Sequence, residues 1–350
     1  MEREELALEV QKGSALRELD LAGKDLSGLD LAGCIFESCK FHGANLTGTR
    51  LKEALLVQCD LSEANLEGAN LHLVQSNGCD FTDAHLGRAK LAVAQIAQAN
   101  FTRANLEGAD LEMATFAESI LAGTRFFGAK LERTNIVNSK TPAIDLSGTQ
   151  LVKTIFVGAD MTAARLEGVS LELVVFLNCA FTGVDLSGRS LKLVTFMGSD
   201  LGGAVLNDCE LTQSNFSGAH LVGAELDRVR GKNVLFNGAN LGNAQIKDAD
   251  LYGSLFADAI LTRTDLSGSD LRQCIFHRAS CEGAVFARTK LGEADMSNAN
   301  LALANFSAAN LFRTRLHNIK EDRTLFDAGR AIALGTDEDL ANAENFEPRY

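Results

Sequence analysis

The sequence predicts an all-β solenoid, and three periodicities carry that prediction. The first is a beat of five. From Leu16 to Leu316 in steps of five, 57 of 61 positions are Leu, Ile, Phe or Met. The second lies two residues earlier, where 56 of 61 positions from Ser14 to Thr314 are Ala, Ser, Thr, Val or Cys. A large and a small apolar residue two apart describe one strand face turned towards a core. The third is a beat of twenty: Phe recurs at Phe36, Phe116, Phe156, Phe176, Phe196, Phe216, Phe236, Phe256 and Phe276, while the series from Leu31 to Leu311 is Leu throughout except Gly231. Twenty residues then make one four-sided coil, with a Phe ladder on one wall and a Leu ladder on another. Corners are required every five residues, and 24 of the 31 glycines share the single phase that begins Gly13, Gly23, Gly28, where a positive φ costs glycine nothing.

Stretches such as GANLTGTRL from Gly43, RANLEGADL from Arg103 and SNANLALANF from Ser297 resemble the pentapeptide-repeat family, and the resemblance covers residues 14–316. It implies a right-handed quadrilateral β-helix with four pentapeptides per turn. About fifteen coils at about 4.8 Å each predict one elongated domain about 72 Å long.

In chain order, residues 1–13 read as an N-terminal helical cap, a helix from Glu2 to Lys12 stopped by Gly13. Residues 14–316 are the β-helix. Its first coil carries oversized Leu19 and Leu29 and a charged Lys24 in small positions, as terminal repeats of solenoids often do. Ser76, Thr141 beside Pro142, and Gly231 interrupt the large positions, with Ile144 placed to refill the gap at Thr141. Arg228, Arg230 and Lys232 around Gly231 form either a solvated corner or a small anion patch. Arg189 falls on an inward phase, where an unpaired guanidinium is too costly to bury; either the corner twists to release it or it belongs to a binding surface. Residues 317–350 form an acidic C-terminal helical cap or tail. There Phe326 still keeps the beat, and Thr336 followed by Asp339 reads as a helix start.

Little of the sequence points to chemistry. Seven of the eight cysteines take the small inward position and Cys281 takes a large one, so they read as core and not as metal or redox ligands. The six histidines occupy outward phases on scattered walls, without ligand spacing. No nucleophile elbow, P-loop or HExxH motif occurs, and a filled solenoid has no interior pocket. The expectation is a non-enzyme without metal or cofactor. With no apolar run near 18 residues, and an acidic start that lacks the features of a secretory signal, it is placed in the cytoplasm, away from membranes.

Binding remains, and two classes compete. Some members of the family imitate DNA with an acidic rod and bind DNA gyrase, which makes a DNA mimic one reading. Against it, residues 16–316 hold 34 acidic and 27 basic residues, whereas duplex DNA of that length carries about 40 charges of one sign. The other reading is a protein-binding scaffold that makes no direct contact with nucleic acid. Val137, Ile155, Val157, Leu173, Val175, Leu177, Leu193 and Met197, with Leu235, Leu255 and Ile275, are apolar at outward phases beside the Phe wall, and a contiguous apolar patch marks an interaction surface. Strand propensity alone offers a simpler account of such residues. A homodimer through a terminus or through this stripe is an accompanying expectation. The opening GSALRELDLAGKDLSGLDLAG and closing NLFRTRL are further similar to pentapeptide-repeat proteins of bacterial type VI secretion clusters, which implies an accessory or adaptor role.

Overall fold

The computed structural model describes residues 3–11, 13 and 15–344; Glu2, Lys12, Ser14 and residues 345–350, on which some expectations fall, lie outside the described residues. The chain divides into two compact units, Met1–Cys179 and Ala180–Tyr350. The beat of five passes through residues 179 and 180 without slipping, so the sequence pattern does not mark this division.

Each corner follows from its local sequence. The carbonyl of a large residue accepts from the amide three residues on, as in Ala44 N to Phe41 O (2.9 Å), which is a β-turn. Between Leu16 and Leu316 every residue with positive φ, glycine or not, stands two places after a large position, the left-handed third place of a type II turn. Where the residue before a large position is Asp or Asn, it is so for a physical reason as well. Its Oδ1 accepts from the amide two residues on, as Asp20 does from Ala22 (3.1 Å) and Asn65 from Glu67 (3.0 Å), satisfying a turn amide that the ladder leaves unpaired. The carboxylates that recur at this place are therefore turn caps.

Coils then stack in parallel at a register of twenty. In the first unit the strands are β1 (Leu16–Arg17), β2 (Ile35–Glu37), β3 (Leu55–Val57), β4 (Gln75–Asn77), β5 (Gln95–Ala97), β6 (Thr115–Ala117), β7 (Asn135–Val137), β8 (Gln150–Val152), β9 (Ile155–Val157), β10 (Ser170–Glu172) and β11 (Val175–Leu177). Nine of them form one sheet in the order β1 to β7, β9, β11, and β8 pairs with β10. This register gives the first unit about eight turns, where the sequence predicts about fifteen over the whole chain as one domain. The second unit repeats the register in single-residue bridges from Ala180 to Leu325, and its last bridge, Arg315 with Leu334, falls one residue short of it.

The core is what the two inward phases predict. Large and small positions are almost all buried, and in the second unit Phe196, Phe216, Phe236, Phe256 and Phe276 stack with ring centroids 4.7–5.3 Å apart. Two of the three interruptions are size exchanges. Ile144 is fully buried beside Thr141, whose hydroxyl donates to Asp160 O and accepts from Asp160 N, both at 2.8 Å. At Gly231 a Cβ would lie 2.6 Å from Val234 Cγ2, so Val234 already fills that space. Ser76 has no such exchange, and its buried hydroxyl finds no partner among the described residues.

The ends close as caps. Helix α1 (Arg3–Gln11) buries Leu6 completely, ties down with Arg3 Nη2 to Ser27 O (2.6 Å) and stops at Gly13, φ 71°. Leu19, Lys24 and Leu29 are half-buried at this end. At the other end pairing continues past Leu316, through Asn305 with Leu325 and Arg315 with Leu334, and Phe326 stacks on Phe306 at 5.0 Å. Helix α2 (Glu338–Glu344) starts one residue later than predicted, because Asp337 is the cap that accepts from Leu340 N (3.1 Å). His317 corrects the expectation that all histidines face out. It is 2% exposed, accepts from Asp337 N at Nδ1 (3.1 Å) and faces Glu344 with Nε2 (3.2 Å), so it fastens α2 to the last coil.

Candidate partner-binding surface

The outward face of the strands that include β7, β9 and β11 carries the predicted stripe. Because the register is twenty, Val137, Val157 and Leu177 fall in one column and Ile155 and Val175 in the next. All five are half-buried against one another, and Leu173, 38% exposed, stands at the corner two residues before Val175. The same column extends back through Ala117 to Ala97, so five consecutive coils present an apolar side chain there. Alanine at these two places is too small to stand out in the sequence.

In the second unit Leu235, Leu255 and Ile275 form a separate column. Leu193 and Met197, 47% and 42% exposed, are not brought into it, because the polar coil of Asn215 and Ser217 intervenes. The eleven residues therefore form one patch in the first unit, one column in the second, and two outliers. Phe127, 58% exposed, is an apolar surface residue that the sequence reading missed. Its signal was available: of the 20 phenylalanines only Phe127 and Phe312 fall outside the large inward phase. Its ring lies over the Gly148 corner, where a Cβ would come within 2.8 Å of it.

The charged positions are paired from coil to coil. Arg103, Arg228 and Arg278 each hold the aspartate twenty residues earlier through two nitrogens; these hydrogen bonds keep the Asp83, Asp208 and Asp258 carboxyls below the usual range. Arg50 meets Asp30 (3.0 Å) and Arg315 meets Asp295 (3.6 Å) in the same way. Of the three basic residues around Gly231, Arg228 pairs with Asp208 and Arg230 lies 4.0 Å from Glu210. Arg189 is half-buried. Its charge is one of the influences that lower the Asp185 carboxyl, after the Ser187 hydroxyl and amide.

All eight cysteines are buried. Burial pushes the Cys34, Cys179 and Cys209 thiols up to about 11 and Cys274 up to about 12. Among the described residues no group of three or more His, Cys, Asp or Glu is arranged to hold a metal ion. No described helix is long and apolar enough to cross a membrane.

A five-residue turn stacked at a register of twenty defines the class of molecule, a pentapeptide β-solenoid. The family model for pentapeptide repeats (8 copies) matches residues 99–138, 144–188, 233–278 and 279–318, and that for a pentapeptide repeat region matches 29–101 and 169–246. The chain belongs to the pentapeptide-repeat family. Similar solved structures include a trypsin-treated form of QnrB1, a plasmid-mediated fluoroquinolone resistance protein (26% identity over 47% of this chain and 81% of that one, TM-score 0.27). Another is HetL from Nostoc sp. strain PCC 7120, involved in heterocyst differentiation regulation (20% identity over 90% and 96%, TM-score 0.20). A third is Rfr23 from the cyanobacterium Cyanothece 51142 (22% identity over 41% and 94%, TM-score 0.25). A comparison with curated protein sequences gives no significant match.

Proposed function

We propose that the chain is a non-enzymatic scaffold that binds a partner protein on the outward apolar columns of its first unit, Val137, Val157 and Leu177 beside Ile155 and Val175. The observation that carries this is their register: side chains on both outward columns are apolar on consecutive coils, and clustered apolar surface of this kind is characteristic of interaction sites. Leu173, the outliers Leu193 and Met197, and the Leu235, Leu255 and Ile275 column are secondary candidates. An adaptor role in bacterial type VI secretion, in the cytoplasm, is the finer form of the same reading and rests on the terminal sequence resemblance alone.

The competing DNA-mimic reading calls for a face of like charge. Coil-to-coil pairing opposes it, because the carboxylates of Asp83, Asp208 and Asp258 are each engaged by an arginine. The test is a capture experiment comparing wild type with Val157→Asp/Leu177→Asp. A buried unpaired charge at an interface costs several kcal/mol, so affinity for the true partner falls by about a hundredfold or more at 1.4 kcal/mol per tenfold. Partners retained equally by both proteins, or a partner lost only on neutralising an acidic face, would overturn the proposal.

A further inference from the structure

At most corners whose left-handed place is not glycine that place holds a polar residue, but one corner of the first unit departs from this. On three consecutive coils its left-handed place is taken by the large apolar residues Leu73, Val93 and Met113, at φ 59°, 62° and 58°, and Val93 is the only β-branched residue among the described non-glycine residues with positive φ. A left-handed backbone is unfavourable for any side chain and most of all for a β-branched one. Burial does not offset that strain: Leu73 and Met113 are 38% and 46% exposed and Val93 is half-buried. Strained, exposed and apolar on three coils in a row, this ridge has the character of a contact surface.

The surroundings of the ridge identify what it contacts. One further coil on either side, the same corner place holds Glu53 and Arg133, with opposite charges and equally spaced from Val93. The places just before the corner read Lys52, His72, Ala92, Glu112 and Glu132 along the same five coils, again of opposite character at equal distances from the centre. The local pairs Lys52 to Glu53 (3.0 Å) and Arg133 to Glu132 (3.9 Å) stand in reversed order at the two ends. The column on the other side, Gln75, Gln95 and Thr115, is uncharged.

We propose that this strip is an interface between two copies of the chain, related by a two-fold axis at Val93 with their ladders antiparallel. An isologous contact requires one patch to complement itself. Here Val93 meets its own copy, Leu73 meets Met113, Glu53 meets Arg133, Lys52 meets Glu132 and His72 faces Glu112. One column further back, Arg50, Lys90 and Lys130 would meet as like charges, which confines the contact to the corner. Five coils span about 19 Å, so the interface is narrow and belongs with the weak, transient class. The ridge shares its corner column with Leu173, and the proposal does not depend on partner binding at the columns of Val157 and Val175.

The test is sedimentation velocity on the full chain from about 10 µM to about 500 µM, the range in which narrow interfaces associate. Wild type should shift from monomer to dimer. Val93→Asp should abolish the shift and Glu53→Arg should weaken it by about tenfold or more, while Glu53→Arg/Arg133→Glu, which exchanges the facing charges, should restore it. Val93→Gly removes the backbone strain together with the apolar contact, so it should fold and yet remain monomeric. A wild type that stays monomeric throughout, a dimer that survives Val93→Asp, or a double reversal that fails to restore association would each overturn the proposal.

Discussion

Replacing Gly231 by Leu, the residue that the repeat itself favours, should destabilise the second unit. The Cβ alone would lie 2.6 Å from Val234 Cγ2 and 2.9 Å from Leu211 Cβ, closer than packed carbons approach. Both neighbours are fully buried, so neither yields freely. Overpacking of this kind costs about 1–3 kcal/mol. Adding Val234→Ala removes the methyl group that occupies the site and recreates the usual large and small pair. The double variant should then recover most of the loss, with a coupling of about 1–3 kcal/mol between the two substitutions. Urea unfolding measures this as a fall in midpoint for the single variant and its recovery in the double, at unchanged slope. Strictly additive losses, with the double variant less stable than Gly231→Leu, would refute the size-exchange reasoning here and at Thr141 with Ile144.

Ser76→Ala removes a buried hydroxyl that has no partner among the described residues and should stabilise the first unit by about 1 kcal/mol; a lower urea midpoint would show that the hydroxyl is satisfied after all. Burial holds the Cys34, Cys179, Cys209 and Cys274 thiols at about 11 to 12, so they should react with a disulfide reagent at pH 8 only as fast as the chain unfolds; rapid labelling without denaturant would contradict that. The arginine-held carboxyls of Asp83, Asp208 and Asp258 lie below their ordinary value, so the stability they contribute is present above about pH 4, the unfolded value, and is lost as pH falls below it. Asp83→Asn should flatten that acid limb slightly, and an unchanged or steeper limb would count against the pairing.

How much of this was legible in the sequence depended on whether a feature obeyed the beat. The inward phases, the corner phase and the exchange at Thr141 and Ile144 could be read directly, because period and residue size are properties of sequence. The turn-capping role of Asp and Asn was not read, since it is a hydrogen bond between positions two apart that periodicity does not reveal. His317 was misread for a related reason: its phase points outward, but α2 folds over it and supplies Asp337 and Glu344. At the surface, the columns of Val137, Val157 and Leu177 were found because the residues are large. The Leu73, Val93 and Met113 ridge is not legible from the glycines of the corner phase, because most described corners place other residues there.

The central claim is that a partner seats on one wall of the first unit. Photo-crosslinking tests it most directly, with a benzophenone amino acid placed in turn at Val137, Val157 and Leu177 and, as controls, at Asn45, Asn65 and Asn105 on another wall. The account predicts that the same partner adduct forms at the three positions of the apolar column and at none of the controls. Adducts of equal yield at the asparagine positions, or at those positions alone, would contradict it.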